Sequence, residues 1–276
     1  MAEKSFAKRI QDAMGERAPK ELTGGLWRNI ERNHIYKDKK YNFIDEVYPD
    51  DCDAKGQFYG EKIEYHNGAA HLNSSQVMCI NFFKKIFEKD EWNGILLKTL
   101  KSVGVPIVSG KIKYAIFEYV PESKEGTNFD FYVILDNNSC VSFEVKYTEA
   151  EFGGISVDEE YPDRYKRKWT NVYEKKVREC PYLNCNQGEF YSEYQINRNI
   201  CLAKEGDIVL FLTPRANDAK GILRGRKYID SCTSSNSNIM NIYWEDVVKA
   251  LMKIIVNEPE LMDYYGKFKK KYIDIL

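Results

Sequence analysis

In the run Phe143-Glu144-Val145-Lys146-Tyr147, a carboxylate and an ammonium stand two residues apart. Successive side chains on a strand point to opposite faces, so Glu144 and Lys146 share one face while Phe143 and Val145 point the other way, into a core. Two opposite charges on one face of an otherwise apolar strand are costly to bury unless they serve a purpose. A second strand-like run, Phe129 to Leu135, carries Asp130 at its start and is followed by Asp136, Asn137 and Asn138, a strong turn signal. The two runs therefore form an antiparallel hairpin. A hairpin sets the start of its first strand beside the end of its second, which brings Asp130 close to Glu144 and Lys146.

Two carboxylates and one ammonium at a sheet edge have a definite chemistry. Carboxylate oxygens suit Mg²⁺, a hard cation that keeps several waters, with Mn²⁺ as a second candidate. Such a metal lowers the pKa of water and offsets charge on a phosphate. Lysine orients the attacking water or stabilises the charge of a pentacovalent phosphorus.

The elements that must position these groups are legible around them. Asn73 precedes apolar residues at helical spacing (Val77, Ile80, Phe83, Phe87), and Asn73 with Gln76 has capping-box form, so a helix is expected from about Ser74 to Glu88. Strands are expected at Lys111 to Val120, Phe129 to Leu135 and Cys140 to Tyr147. A helix follows over Tyr191 to Ala203, then a buried strand over Asp207 to Leu212. Asn238 to Tyr243 reads as a further strand, Trp244 to Val256 as an amphipathic helix, and one more helix closes the chain. The order implies an α/β or α+β fold with a mixed sheet. Residues 1–61 are highly charged, with apolar positions at Phe6, Ile10 and Met14 and then Trp27, Ile30 and Ile35. They read as a helical and irregular extension packed on a main domain spanning 62–276.

Asp130 followed by Glu144-Val145-Lys146 resembles the D…(D/E)-X-K signature of the PD-(D/E)XK nuclease superfamily. The words TNFDFYV, FEVKYTEAEFG and YQINRN are similar to those of bacterial restriction-endonuclease-like proteins. The resemblance spans roughly His71 to Leu212 and departs at Phe129, which stands where the motif has proline. It implies an αβββαβ core, Mg²⁺-dependent hydrolysis of DNA phosphodiester bonds with a 5′-phosphate product, and metal binding by Asp130 and Glu144. It also implies a site glutamine on the helix after the third strand, here Gln195, and an additional metal ligand from the first strand, here Glu118. RNA remains open as a substrate. A non-cleaving nucleic-acid or protein binding module on the same fold is the alternative reading.

Several residues carry two readings. Gln195, with Arg198 and Asn199 at i+3 and i+4, is either part of the site or part of a solvated helix face. Glu118 is either a ligand or an ordinary strand-end charge. His71, Ser75 and Gln76 open the first helix, where backbone N–H groups attract phosphate; capping accounts equally for Gln76. Glu149 either orients Lys146, shapes the loop to Gly153 or is solvated. Arg164, Lys166, Arg167 and Lys168 surround Tyr165 and Trp169, a pattern that suits phosphate contact and base stacking, although such a run is more commonly a solvated surface, here paired with Asp158, Glu159, Glu160 and Asp163.

The bulk properties bound these readings. In 276 residues, 41 Lys and Arg oppose 42 Asp and Glu, so any attraction to phosphate must be local or supplied by a metal. Met1 to Arg9 lacks an apolar signal segment, and the 7 cysteines are an odd number, which points to a cytoplasmic protein with free thiols and no membrane span. Cys180 and Cys185 form one pair without a second at zinc spacing. A homodimer is compatible with the resemblance.

Overall fold

The computed structural model describes residues 4–46, 48–107, 110–121, 128–155, 163–233 and 238–276. Alternation sets its sheet. Along β5 (Phe129–Leu135) every odd residue is buried and every even one partly exposed, so one face lies on a core and the other is more open. Six strands make one mixed sheet in the order β3 (Asp53–Lys55), β4 (Ile112–Tyr119), β5, β6 (Cys140–Val145), β7 (Ile208–Thr213) and β8 (Ile239–Tyr243). The pairings are antiparallel through β6, then parallel between β6, β7 and β8. β1 (Thr23–Trp27) and β2 (Ile30–Tyr36) form a separate hairpin.

Ten α-helices are present among the described residues. α1 (Phe6–Arg17), α2 (Ser75–Phe83), α3 (Ile95–Ser102), α9 (Trp244–Ile254) and α10 (Pro259–Phe268) contribute to the larger hydrophobic cluster, together with Phe131, Phe143 and Leu210 from the sheet. α4 (Asp163–Lys168), α5 (Glu174–Glu179), α6 (Gln187–Ser192), α7 (Tyr194–Cys201) and α8 (Lys220–Thr233) lie around a second cluster that takes Val209 and Phe211. Neighbours in β7 thus enter different clusters, one on each sheet face. This is a six-stranded mixed sheet flanked by helices, compatible with a restriction-endonuclease-like α+β fold. The expected order of helix, three strands, helix and strand is present in α2, β4, β5, β6, α7 and β7. None of the described helices is long and apolar enough to cross a membrane.

The departures are local. The cap of α2 is Ser74, whose hydroxyl accepts from the Val77 N–H, and not the expected Asn73. α2 ends at Phe83 and tightens into a 3₁₀ turn over Lys84–Phe87. The helix expected over Tyr191 to Ala203 breaks at Glu193 into α6 and α7. Residues 1–61 supply a hairpin and the edge strand β3, and Phe6, Ile10 and Met14 join the larger core cluster.

Phe131 anchors the site-bearing strand. It is fully buried and stacks on Phe83 with centroids 4.1 Å apart, against Phe117 at 4.9 Å. Phe131→Ala is expected to cost about 3–5 kcal/mol in chemical denaturation. A loss below about 1 kcal/mol would show that β5 is not held by this stack.

Candidate active site

The β5–β6 register places the site. The ladder ends at the pair Phe131–Phe143, so the next position sets Asp130 opposite Glu144. There the Asp130 carboxylate takes over, its Oδ2 accepting from the Val145 N–H at 2.6 Å. On β4, Phe117 and Tyr119 pair with Phe131 and Phe129, which puts Glu118 beside Asp130. Lys146 follows β6 directly, its N–H donating to the Leu212 carbonyl at 2.9 Å and its own carbonyl accepting from Trp244 Nε1 at 3.3 Å.

Glu144 is 1% exposed. A carboxylate at that depth needs full satisfaction. Its Oε1 lies 2.7 Å from Lys146 Nζ and accepts from Gln195 Nε2 at 2.6 Å, while its Oε2 accepts from Asn199 Nδ2 at 2.8 Å. Gln195 closes the ring, because its Oε1 accepts from Lys146 Nζ at 3.1 Å. Gln195 and Asn199 are one helical turn apart on α7, so one face of that helix serves both carboxylate oxygens.

The electrostatics follow from burial and crowding. Burial, then the charges of Glu144 and Glu118, hold Asp130 well above the ordinary carboxylate range, against Lys146 and the Val145 N–H. Burial also raises Glu118, opposed by hydrogen bonds from Gln76 and Asn128, with Glu144 adding to the rise. For Lys146 burial pulls down, but the carboxylates of Glu144, Glu149 and Asp130 outweigh it and the ammonium is held above its usual range. Lys146 is therefore a cation at neutral pH, suited to stabilising charge and unsuited to taking a proton.

The donor set fits a hard divalent cation. Asp130, raised by burial and then by the neighbouring charges of Glu144 and Glu118, is relieved by positive charge. Among the described residues no three His, Cys, Asp or Glu side chains converge on one point. A two-carboxylate set with water is the arrangement Mg²⁺ favours.

The family described as Restriction Endonuclease associating with ARP matches residues 4–273. The chain belongs to this family. No curated protein and no solved structure matches it.

In this restriction-endonuclease family member, the remaining candidate residues lie in different surroundings. Glu118 sits at φ 49°, a left-handed conformation rare for a residue with a long side chain, which costs on the order of 1–3 kcal/mol. Its carboxylate accepts from Gln76 Nε2 at 3.0 Å and Asn128 Nδ2 at 2.6 Å. Gln76, expected at the nucleic-acid surface, is buried instead; it also donates to the Glu64 carbonyl and accepts from the His66 N–H. Its amide is used up inside the protein, holding Glu118. His71 packs edge-on against Trp27 at 4.9 Å. Ser75 is the first residue of α2. Asn73 donates to Thr148 Oγ1 at 2.6 Å, tying the entry of α2 to the loop after Lys146. Glu149 accepts from the Tyr147 N–H at 2.6 Å and so shapes that loop.

The Arg198 guanidinium lies 4.8 Å from the Tyr194 ring centroid. The basic segment forms the surface helix α4, with Arg164 over the Tyr165 ring at 4.6 Å and Lys168 5.4 Å from that of Tyr173. The acids Asp158, Glu159 and Glu160, expected as its partners, lie outside the described residues. Asn199 is the site residue whose part the sequence left unassigned. The available signal was a buried amide set between Ile196 and Ile200.

Because the fold raises Asp130, the folded state holds that proton more tightly than the unfolded chain does. The stability this group contributes is therefore full below the ordinary carboxylate range and is lost as pH rises through the raised value. Metal-free Asp130→Asn is expected to melt above the wild type at mildly alkaline pH, with the gap shrinking on acidification. Thermal melts across pH in chelator check this, and a variant melting below the wild type at alkaline pH contradicts it.

Proposed function

We propose that the protein is a Mg²⁺-dependent nuclease of the PD-(D/E)XK type that hydrolyses DNA phosphodiester bonds. The observation that carries this reading is the ring in which the Lys146 ammonium and the Gln195 amide both meet the Glu144 carboxylate, with Asp130 facing it across the hairpin. Membership in a restriction-endonuclease family supports DNA as the substrate.

In this reading Asp130 and Glu144 hold Mg²⁺ or Mn²⁺, with Glu118 at the border of the site. When bound, the metal supplies a lowered pKa to water and offsets phosphate charge. Lys146, fixed as a cation, stabilises the charge that gathers on the phosphoryl oxygens during in-line attack. Gln195 and Asn199 are positioning residues: the first holds Lys146 and Glu144 in register, and the second fixes the far oxygen of Glu144. The basic residues Arg164, Lys166, Arg167 and Lys168, together with Arg198 and the α2 entry at His71 and Ser75, contact the nucleic-acid backbone.

A Mg²⁺-dependent assay on plasmid, linear duplex, single-stranded DNA and RNA tests the reading. Duplex cleavage is expected, and Lys146→Ala is expected to lose about 10²–10³-fold in rate while still binding DNA. Absence of cleavage on every substrate would favour a binding module on this fold. A collapse in the melting temperature of Lys146→Ala would make the Lys146–Glu144 pair structural.

A further inference from the structure

The β1–β2 hairpin carries an exposed apolar tip. Six large hydrophobic side chains are exposed among the described residues, and three of them, Leu26, Trp27 and Ile30, fall within five positions at its tip. Leu26 is 68% exposed and Ile30 53%. Isolated exposed apolar residues need no explanation, but a cluster on a projecting element marks an interaction site.

The tip is built with care. Arg28 and Asn29 both have positive φ, 50° and 63°, the conformation of a tight two-residue hairpin turn. Gly24 and Gly25 lie in a register shift at the base; a Cβ on Gly25 would stand 2.4 Å from the Tyr36 carbonyl oxygen, so only glycine allows this bend. The inner half, at Thr23, Ile35 and Tyr36, is buried and the outer half is exposed. The charges are sorted along the same axis. Arg28 and Arg32 are exposed and have no ion-pair partner among the described residues. The carboxylate of Glu31 instead folds back over Gly24 at the base.

The hairpin stands beside the candidate site. β2 lies along residues 70–72: the Tyr36 N–H donates to the Ala70 carbonyl, and the Leu72 N–H donates to that of His34. Trp27 rests on His71, and the next contact along, Asn73 to Thr148, reaches the loop that begins at Lys146. A duplex groove of about 12 Å admits a two-stranded ribbon of this kind.

We propose that the β1–β2 hairpin is a groove-entering probe for duplex DNA, its tip inserted end-on so that Leu26 on one face of the ribbon and Ile30 on the other line its two sides, with Arg28 at the turn and Arg32 on the Ile30 face reaching the flanking phosphates. The proposal rests on the nuclease reading, since it takes the substrate at Lys146 as the occupant. Cationic flanks around an apolar tip match a polyanion whose major groove also presents apolar thymine methyl groups, and the path through His71 and Asn73 connects the hairpin to the loop that begins at Lys146.

Anisotropy with a labelled duplex, with Ca²⁺ in place of Mg²⁺, separates the contributions. Leu26→Ser with Ile30→Ser is expected to weaken binding about tenfold at unchanged salt dependence. Arg28→Ala with Arg32→Ala is expected to reduce the log–log salt slope by about 1.8. Both double variants should melt close to the wild type, because the altered side chains are exposed. If the wild type binds duplex and both variants bind equally well with the same slope, the hairpin proposal is overturned and the nuclease reading stands. If the variants instead dissociate a dimer in sedimentation while DNA binding is unchanged, the tip is an interface between copies and the proposal also fails. A wild type that binds no duplex overturns the nuclease reading and the hairpin proposal together.

Discussion

The Glu144 carboxylate is buried, and the elements around it are arranged to satisfy it. A carboxylate at 1% exposure without partners would cost several kcal/mol. Lys146 supplies the compensating charge, and Gln195 and Asn199 supply the remaining donors. β6 therefore cannot take its place alone; α7 must lie across it with both amides aimed inward.

That requirement explains features remote from the carboxylate. The chain breaks at Glu193, whose side chain is buried and paired with Arg224, so that α7 can leave the line of α6. Asn197 staples the break, donating to the carbonyls of Glu189 and Phe190 and accepting from the Tyr228 hydroxyl. The loop after Lys146 reaches α7 through Gly153, at φ 111°, whose carbonyl accepts from the Gln195 N–H. From the other sheet face, Trp244 holds the Lys146 carbonyl and the Tyr147 hydroxyl donates to the Tyr272 carbonyl. Both hydrophobic layers thus converge on the residues that carry the charge.

Much of this was legible in the sequence, for reasons that separate local from tertiary information. Period-two alternation gave β5 with its observed limits, and hairpin geometry placed Asp130 opposite Glu144. Helical phase was harder to read. Arg198 and Asn199 lie about 60° to one side of Gln195 and about 40° to the other, and only packing decides which of them faces the sheet. The break at Glu193 was hidden because Tyr191 to Ala203 keeps an apolar period across it. The left-handed backbone of Glu118 has no sequence signature, since it is enforced by Gln76 and Asn128 from elsewhere in the chain. The β1–β2 hairpin was missed because its outward-facing apolar residues do not alternate against a core.

The proposed chemistry turns on Asp130 and Glu144 sharing one divalent cation. Its most direct test is calorimetric titration of Mn²⁺ into the wild type and into Asp130→Asn, with melting curves to show that both are folded. The account predicts saturable binding to the wild type that disappears in the folded variant. Equal binding by the two proteins would contradict it.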